Sequence, residues 1–181
     1  MSGLTISPGI AVTSRDTLAI ARIAARKGRG AALTQAVRAR FGVELPSGPH
    51  RVQANELAFI GVGVEAWLAT ADADVDGFAA SLRNVIDDSA TVSDQIGAYV
   101  VLRLTGRGVT DVLAKFVALD LHPRVFVPGS AASTIASHIP LTLWRLEDGP
   151  GGLPIFELAI PRSYADSFRH TLTESGATWP P

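Results

Sequence analysis

The stretch AYVVLRLTGRGVTDVLAKFVALDLHPRVFVPGSAASTIASH, Ala98 to His138, decides the fold. Tyr99 to Thr105 reads as a strand, rich in the apolar and β-branched residues that fit a pleated surface. A glycine-marked turn follows. Val109, Val112, Leu113, Phe116 and Val117 recur at helical spacing and predict an amphipathic helix over Val109–Val117. A proline-marked loop then leads to a second strand, Ala131–Ser137. Strand, helix and returning strand open a split β-α-β unit.

Working outward, Leu141–Leu146 predicts a strand joined to the previous one near His138-Ile139-Pro140. Asp148-Gly149-Pro150-Gly151-Gly152 is the strongest turn signal in the chain. Ile155–Ile160 predicts another strand, and Tyr164, Phe168 and Leu172 line a last helix. The N-terminal half has a similar order. Leu18, Ile20 and Arg22 begin a strand running to about Arg26, and Lys27-Gly28-Arg29-Gly30 is a turn. Leu33, Val37 and Phe41 form one helix face, which Gly42 ends and Pro46 keeps from restarting. Leu57–Gly61 and Ala66–Ala69 read as short strands, Phe78, Leu82 and Ile86 as a second helix face, and Ser89–Ser93 as a closing strand. Each half approximates β-α-β-β-α-β. The predicted class is α+β, with two ferredoxin-like lobes over residues 17–96 and 97–181 forming one compact unit. Residues 1–16 read as an extended arm. Its Leu4, Ile6, Ile10 and Val12 have no obvious place in either lobe, which marks the arm as a contact for a partner.

Composition narrows the function. Charged residues are 18% of the 181-residue chain, against roughly 25% in an ordinary soluble domain. Apolar residues are 47% and mean hydropathy is positive, a balance that favours a surface partly covered by a partner. The net charge of −1 lacks the basic excess that a nucleic-acid binder needs. There is no cysteine, so thiolate catalysis, Cys-zinc sites and disulfides within the chain are excluded. The N-terminus lacks the pattern of a signal peptide and no apolar run is long enough to span a membrane, so a cytoplasmic location is expected.

No motif supplies a reaction. Asp72-Ala73-Asp74-Val75-Asp76-Gly77 opens like an EF-hand loop, but Arg83 stands where the closing bidentate glutamate belongs. These acids read instead as the entry to the Phe78–Ile86 helix. Gly61-Val62-Gly63-Val64-Glu65-Ala66 fits G-x-G-x-x-A, yet the residues after it are too few for the helix that must receive a pyrophosphate, and a hairpin turn is the better reading. Asp120-Leu121-His122 could share a proton, but before Pro123 the two are expected to satisfy backbone groups. Ser163-Tyr164-Ala165-Asp166 has the spacing of a capping box, with Arg162 at the strand-to-helix corner. Trp67, Trp144 and Trp179 are scattered and read as core or interface residues.

Several short segments, taken in order, carry a family resemblance. They are Val92-Ser93-Asp94-Gln95, Arg103-Leu104-Thr105-Gly106, Val112-Leu113-Ala114-Lys115, Leu119–Arg124, Phe126 with Pro128-Gly129, Leu143-Trp144-Arg145 and Arg162-Ser163-Tyr164-Ala165-Asp166. Together they resemble the gamma subunit of heterotetrameric sarcosine oxidase over about Leu18–Trp179. Two turns depart from that family, where Gly106-Arg107 and Gly61-Val62 stand in place of Gly-Pro. The resemblance implies a truncated form of the folate-binding aminomethyltransferase fold of the glycine cleavage system. It implies alpha, beta and delta partner subunits, and an assembly that demethylates sarcosine oxidatively with FAD, FMN, NAD and tetrahydrofolate. It transfers no catalytic, cofactor-binding or metal residue to this chain. Leu4, Ile6, Ile10, Arg103, His122, Arg124 and Arg162 are the residues expected in partner contacts or structural motifs. Two alternatives stay open: a subunit of a related N-methylglutamate dehydrogenase, and a stand-alone folate-binding protein, for which Asp94 and Glu157 are the only acids to consider.

Overall fold

A computed structural model describes residues 3–7, 9–72 and 76–177. It is a mixed α+β structure with two antiparallel sheets. In chain order, strands β1 (Gly3–Ser7) and β2 (Ile10–Ser14) precede β3 (Ala19–Ala25) and helix α1 (Gly30–Phe41). Strands β4 (Arg51–Ala54), β5 (Leu57–Gly63) and β6 (Ala66–Ala71), helix α2 (Phe78–Ile86) and strand β7 (Ala90–Asp94) follow. Then come β8 (Tyr99–Thr105), α3 (Val109–Ala114), β9 (Ala131–Ala136), β10 (Ile139–Arg145), β11 (Ile155–Pro161) and α4 (Ala165–Ala177). The chain divides into two units, one of Thr17–Gly97 and one of Met1–Asp16 with Ala98–Pro181.

In the Thr17–Gly97 unit the strand order is β4-β5-β6-β3-β7. Four of these strands with α1 and α2 form the β-α-β-β-α-β pattern, and β4 is an added edge. The core follows from two periodicities. Ala19, Ala21 and Ile23 of β3 alternate toward the helices, as do Trp67, Ala69 and Ala71 of β6. Leu33 and Val37 of α1, and Phe78, Leu82 and Ile86 of α2, meet them from the helix side. Each large side chain buried this way contributes roughly 1.5–3 kcal/mol. Helix α1 stops where Gly42 takes the left-handed conformation, φ 71°, which glycine enters without a Cβ clash.

The second unit has the strand order β1-β2-β8-β11-β10-β9. Its β8, β10 and β11 correspond in order to β3, β5 and β6, and β9 corresponds to the added edge β4. No strand follows α4 among the described residues. The place next to β8 that β7 takes beside β3 is filled by β2, antiparallel, with Val12 opposite Leu104. This corrects the reading of residues 1–16 as an extended arm. The alternation Ile10-Ala11-Val12-Thr13 is that of a half-buried strand, and Ile10 and Val12 are 3% and 6% exposed in the core with Leu102, Leu104 and Phe156. Ile10 is therefore not available to a partner. Leu4 belongs to β1 by main-chain pairing, opposite Val12. The side chains of Leu4 and Ile6 lie outside the described residues.

Local differences from the sequence reading have local causes. The helix expected to reach Val117 ends at Ala114, because Val117 is taken up in an antiparallel bridge to Ala136. Strands β9 and β10 run closer together than expected, joined by Ser137-His138 with φ of 45° and 72°, the two-residue turn that suits the twist of paired strands. Strand β4 has four residues and was not expected at all. The last helix starts from a 3₁₀ turn, Arg162–Tyr164, entered from Pro161 without a side-chain cap, and continues to Ala177.

Candidate functional site

Strand β11 reads Ile155-Phe156-Glu157-Leu158-Ala159-Ile160. Phe156, Leu158 and Ile160 join the core under α3 and α4, so period-2 alternation turns Glu157 and Ala159 to the other face of the sheet. Register places Arg103 of β8 and Trp144 of β10 on either side of Glu157, in one row across three strands. Arg15, just past β2, approaches the same row.

Glu157 is 3% exposed. Its Oε1 accepts from Arg103 Nε at 2.9 Å and Nη2 at 2.7 Å, and Trp144 Nε1 donates to Oε2 at 2.9 Å. Arg15 Nε forms an ion pair with Oε1 at 3.1 Å. Charge-assisted bonds to a guanidinium are roughly twice as strong as neutral ones. A carboxylate removed from water needs such partners, since an unpaired buried charge costs several kcal/mol. Both carboxylate oxygens are engaged, so the arrangement locks strands β8, β10 and β11 in register. It presents neither a free base nor an acceptor for a pterin. Asp94, the other acid considered, is exposed and accepts the Ile96 N–H at 2.9 Å. Glu157 is spent on the row, and Asp94 is tied to its own turn.

On the same face of the sheet lies a depression of about 320 Å³, lined by residues that include Tyr99, Ser133, Ile135, Pro140, Thr142 and Pro161. Cross-strand pairing builds it, with Ile135 opposite Pro140, Ser133 opposite Thr142 and Tyr99 opposite Pro161. The Ser133 and Thr142 hydroxyls share a hydrogen bond of 3.0 Å. The lining holds hydroxyl and apolar groups and no carboxylate, imidazole or amine, so it can accommodate a surface but supplies no acid–base pair.

The other sequence candidates sit apart from this row. Asp120 Oδ1 accepts the main-chain N–H of His122 at 2.9 Å, and His122 Nδ1 accepts the Arg124 N–H at 3.3 Å. Carboxylate and imidazole each hold backbone of an exposed turn and do not share a proton. Arg162 Nη2 donates to the Tyr99 carbonyl at 3.2 Å, and its own N–H donates to Ala98 O at 2.8 Å, fastening the β11–α4 corner to the start of β8. Gly61–Ala66 is a hairpin between β5 and β6. A Cβ at Gly61 would lie 2.0 Å from the Gly48 carbonyl, so the glycine there permits backbone packing. Trp67 Nε1 donates to Pro46 O at 2.8 Å inside its unit. Of Asp72–Gly77, residues 73–75 lie outside the described set, as does Trp179. Among the described residues, no three His, Cys, Asp or Glu side chains cluster as a metal site, and no helix is long and apolar enough to cross a membrane.

The Arg15–Arg103–Glu157–Trp144 network was not read from sequence. The available signal was one glutamate inside an otherwise apolar strand, which calls for a cationic partner without saying which.

Two ferredoxin-like sheets, one extended by edge strand β4 and the other by β9 and β1, define a fold class shared with the glycine cleavage system aminomethyltransferase T from Bartonella henselae. That structure matches with a TM-score of 0.64 at 14% identity, over 91% of this chain and 45% of that one. A closer fold likeness, TM-score 0.78 at 24% identity, is to the heterotetrameric sarcosine oxidase from Corynebacterium sp. U-96 in complex with pyrrole 2-carboxylate, covering 93% of this chain and 84% of that one. Residues 26–178 match the family model described as sarcosine oxidase, gamma subunit family, and the chain belongs to that family. Its relatives include the sarcosine oxidase subunit gamma of an Arthrobacter species, 31% identical over 75% of this chain and 68% of that one. Another is the subunit of the same name from Corynebacterium sp. (strain P-1), 33% identical over 49% of this chain and 43% of that one.

Proposed function

We propose that this chain is a non-catalytic gamma subunit of a cytoplasmic, flavin-dependent oxidase of the sarcosine type. The observation that carries the reading is the family match over residues 26–178. The saturated state of its buried acid supports a structural role, since Glu157 spends both oxygens on Arg103, Arg15 and Trp144. In this reading the partners are alpha, beta and delta subunits. They carry FAD, FMN and NAD, and tetrahydrofolate accepts the one-carbon unit there. Exposed apolar residues such as Val125, Val127 and Ile135, on a chain of low charge, suit a surface completed by those partners.

The test is co-expression of the tagged chain with the three partner subunits. Co-purification at fixed stoichiometry, together with sarcosine-dependent electron transfer by the assembly, is the expected result. Stoichiometric flavin on this chain alone, or turnover of sarcosine by it alone, would defeat the supporting role.

A further inference from the structure

Sheet edges are templates for pairing with another chain, and proteins blunt them with charge, proline or a covering side chain. The Thr17–Gly97 unit does so at both edges. Strand β4 carries Arg51 and Gln53, and Arg83 Nε donates to the Val92 carbonyl of β7 at 3.1 Å. Strand β9, the counterpart of β4, is Ala131-Ala132-Ser133-Thr134-Ile135-Ala136. It has no charge and no proline.

Its geometry specifies what would pair with it. The two-residue turn Ser137-His138 makes Ala136 and Ile139 a mutually hydrogen-bonded pair. Alternate residues Thr134 and Ala132 then bond to β10, and Ser133 directs its N–H and C=O away from the sheet, as Ile135 does its N–H. The bridge from Val117 to Ala136 and the Ser137 N–H bond to Phe116 O close one end of this edge. Among the described residues no strand lies beyond β9. Ile135 is 61% exposed, and it borders the depression with Tyr99, Pro140 and Pro161.

We infer that β9 is the docking edge of this chain and that its occupant is an extended segment of a partner subunit, added to the sheet as a further strand. The inference rests on the assembly reading above. The segment's main chain bonds Ser133 and the Ile135 N–H. Its alternate side chains on the Ile135 face are apolar or hydroxylated, because the depression offers no charged group to pair an ion.

The experiment co-expresses the tagged chain with the three partner subunits as wild type, Ser133→Pro, Ile135→Lys and Gln53→Pro. Proline at 133 removes an N–H that points away from β10, so the sheet keeps its own bonds. Gln53, an outward position on β4 that matches Ile135 of β9, serves as control. Recovery of the partners is expected to fall about tenfold or more with Ser133→Pro and Ile135→Lys, the equivalent of about 1.4 kcal/mol, and to stay at the wild-type level with Gln53→Pro. Hydrogen exchange in the wild-type complex gives a readout free of any variant. There the Ser133 and Ile135 amides should exchange at least about tenfold more slowly than the outward Gln53 amide, as paired amides do. Equal recovery of wild type and Ser133→Pro, or fast exchange at Ser133 and Ile135, overturns the docking edge and leaves the assembly reading standing. Failure of the wild type to co-purify sinks the assembly reading and this inference with it. A homodimer that Ser133→Pro dissociates, with partner recovery unchanged, overturns it in favour of pairing between copies.

Discussion

The two units share a strand order and a helix placement, yet they complete themselves differently. The Thr17–Gly97 unit closes with β7, which follows α2 directly, and both of its sheet edges carry protecting side chains. The other unit obtains its closing strand from the opposite end of the chain, holds a buried carboxylate between two guanidiniums, and leaves β9 without charge. Similar backbone plans therefore serve different ends. One unit is finished by its own local sequence. The other depends on long-range pairing and offers an edge to something else.

Removing β2 tests that comparison most severely. A variant lacking residues 1–14 should lose the cooperative unfolding of the Ala98–Pro181 unit, while the β3–β7 sheet keeps its own core. Residue-resolved hydrogen exchange separates the two, and equal protection in both units would show that β2 is dispensable. The single substitution Val12→Asp should cost about 3 kcal/mol or more, because it buries an unpaired charge beside Leu104.

Glu157→Ala comes next. It leaves Arg103 and Arg15 facing each other with no carboxylate between them. A broken buried pair costs about 3–5 kcal/mol, and the lower end is expected because Arg103 keeps partial access to water. Glu157→Gln retains the acceptor for Trp144 and should lose less. Urea midpoints for the two variants order the effects. Equal losses would mean that shape rather than charge holds the row.

Two glycines provide a matched pair. A Cβ at Gly106 would lie 1.8 Å from the Gly9 carbonyl, and one at Gly61 would lie 2.0 Å from Gly48 O. Gly106 also has φ of 143°, so alanine there adds backbone strain to overpacking. Gly106→Ala should cost about 2–4 kcal/mol and Gly61→Ala about 1–3 kcal/mol. Equal losses in thermal unfolding would show that backbone strain carries no weight.

The smallest effect is expected at the β9–β10 turn. His138→Gly relieves a side chain at φ 72° and should stabilise the hairpin by about 0.5–1 kcal/mol. Recovery of partner subunits should stay unchanged, since the turn does not touch the outward edge of β9.

Much of this architecture was legible in the residues because burial imprints a period on a local segment. Phe78, Leu82 and Ile86 mark α2 by spacing alone, and Gly42 marks the end of α1 by the conformation it adopts. Apart from β1, β2 and β4, the order of strands and helices was available from sequence, as were the hairpin nature of Gly61–Ala66 and the resemblance to the sarcosine oxidase gamma subunit family. The place of β2 was not. Ile10 and Val12 showed strand-like alternation, but alternation does not name a neighbour, and theirs is β8 at Leu104. The engagement of Glu157 was equally hidden, because Arg103 lies 54 positions away in the chain and Trp144 is brought beside it only by strand register. Local propensity and periodicity decide which elements form. Which elements pair, which acid is neutralised and which edge stays bare are decided by long-range register, and only the tertiary structure contains that.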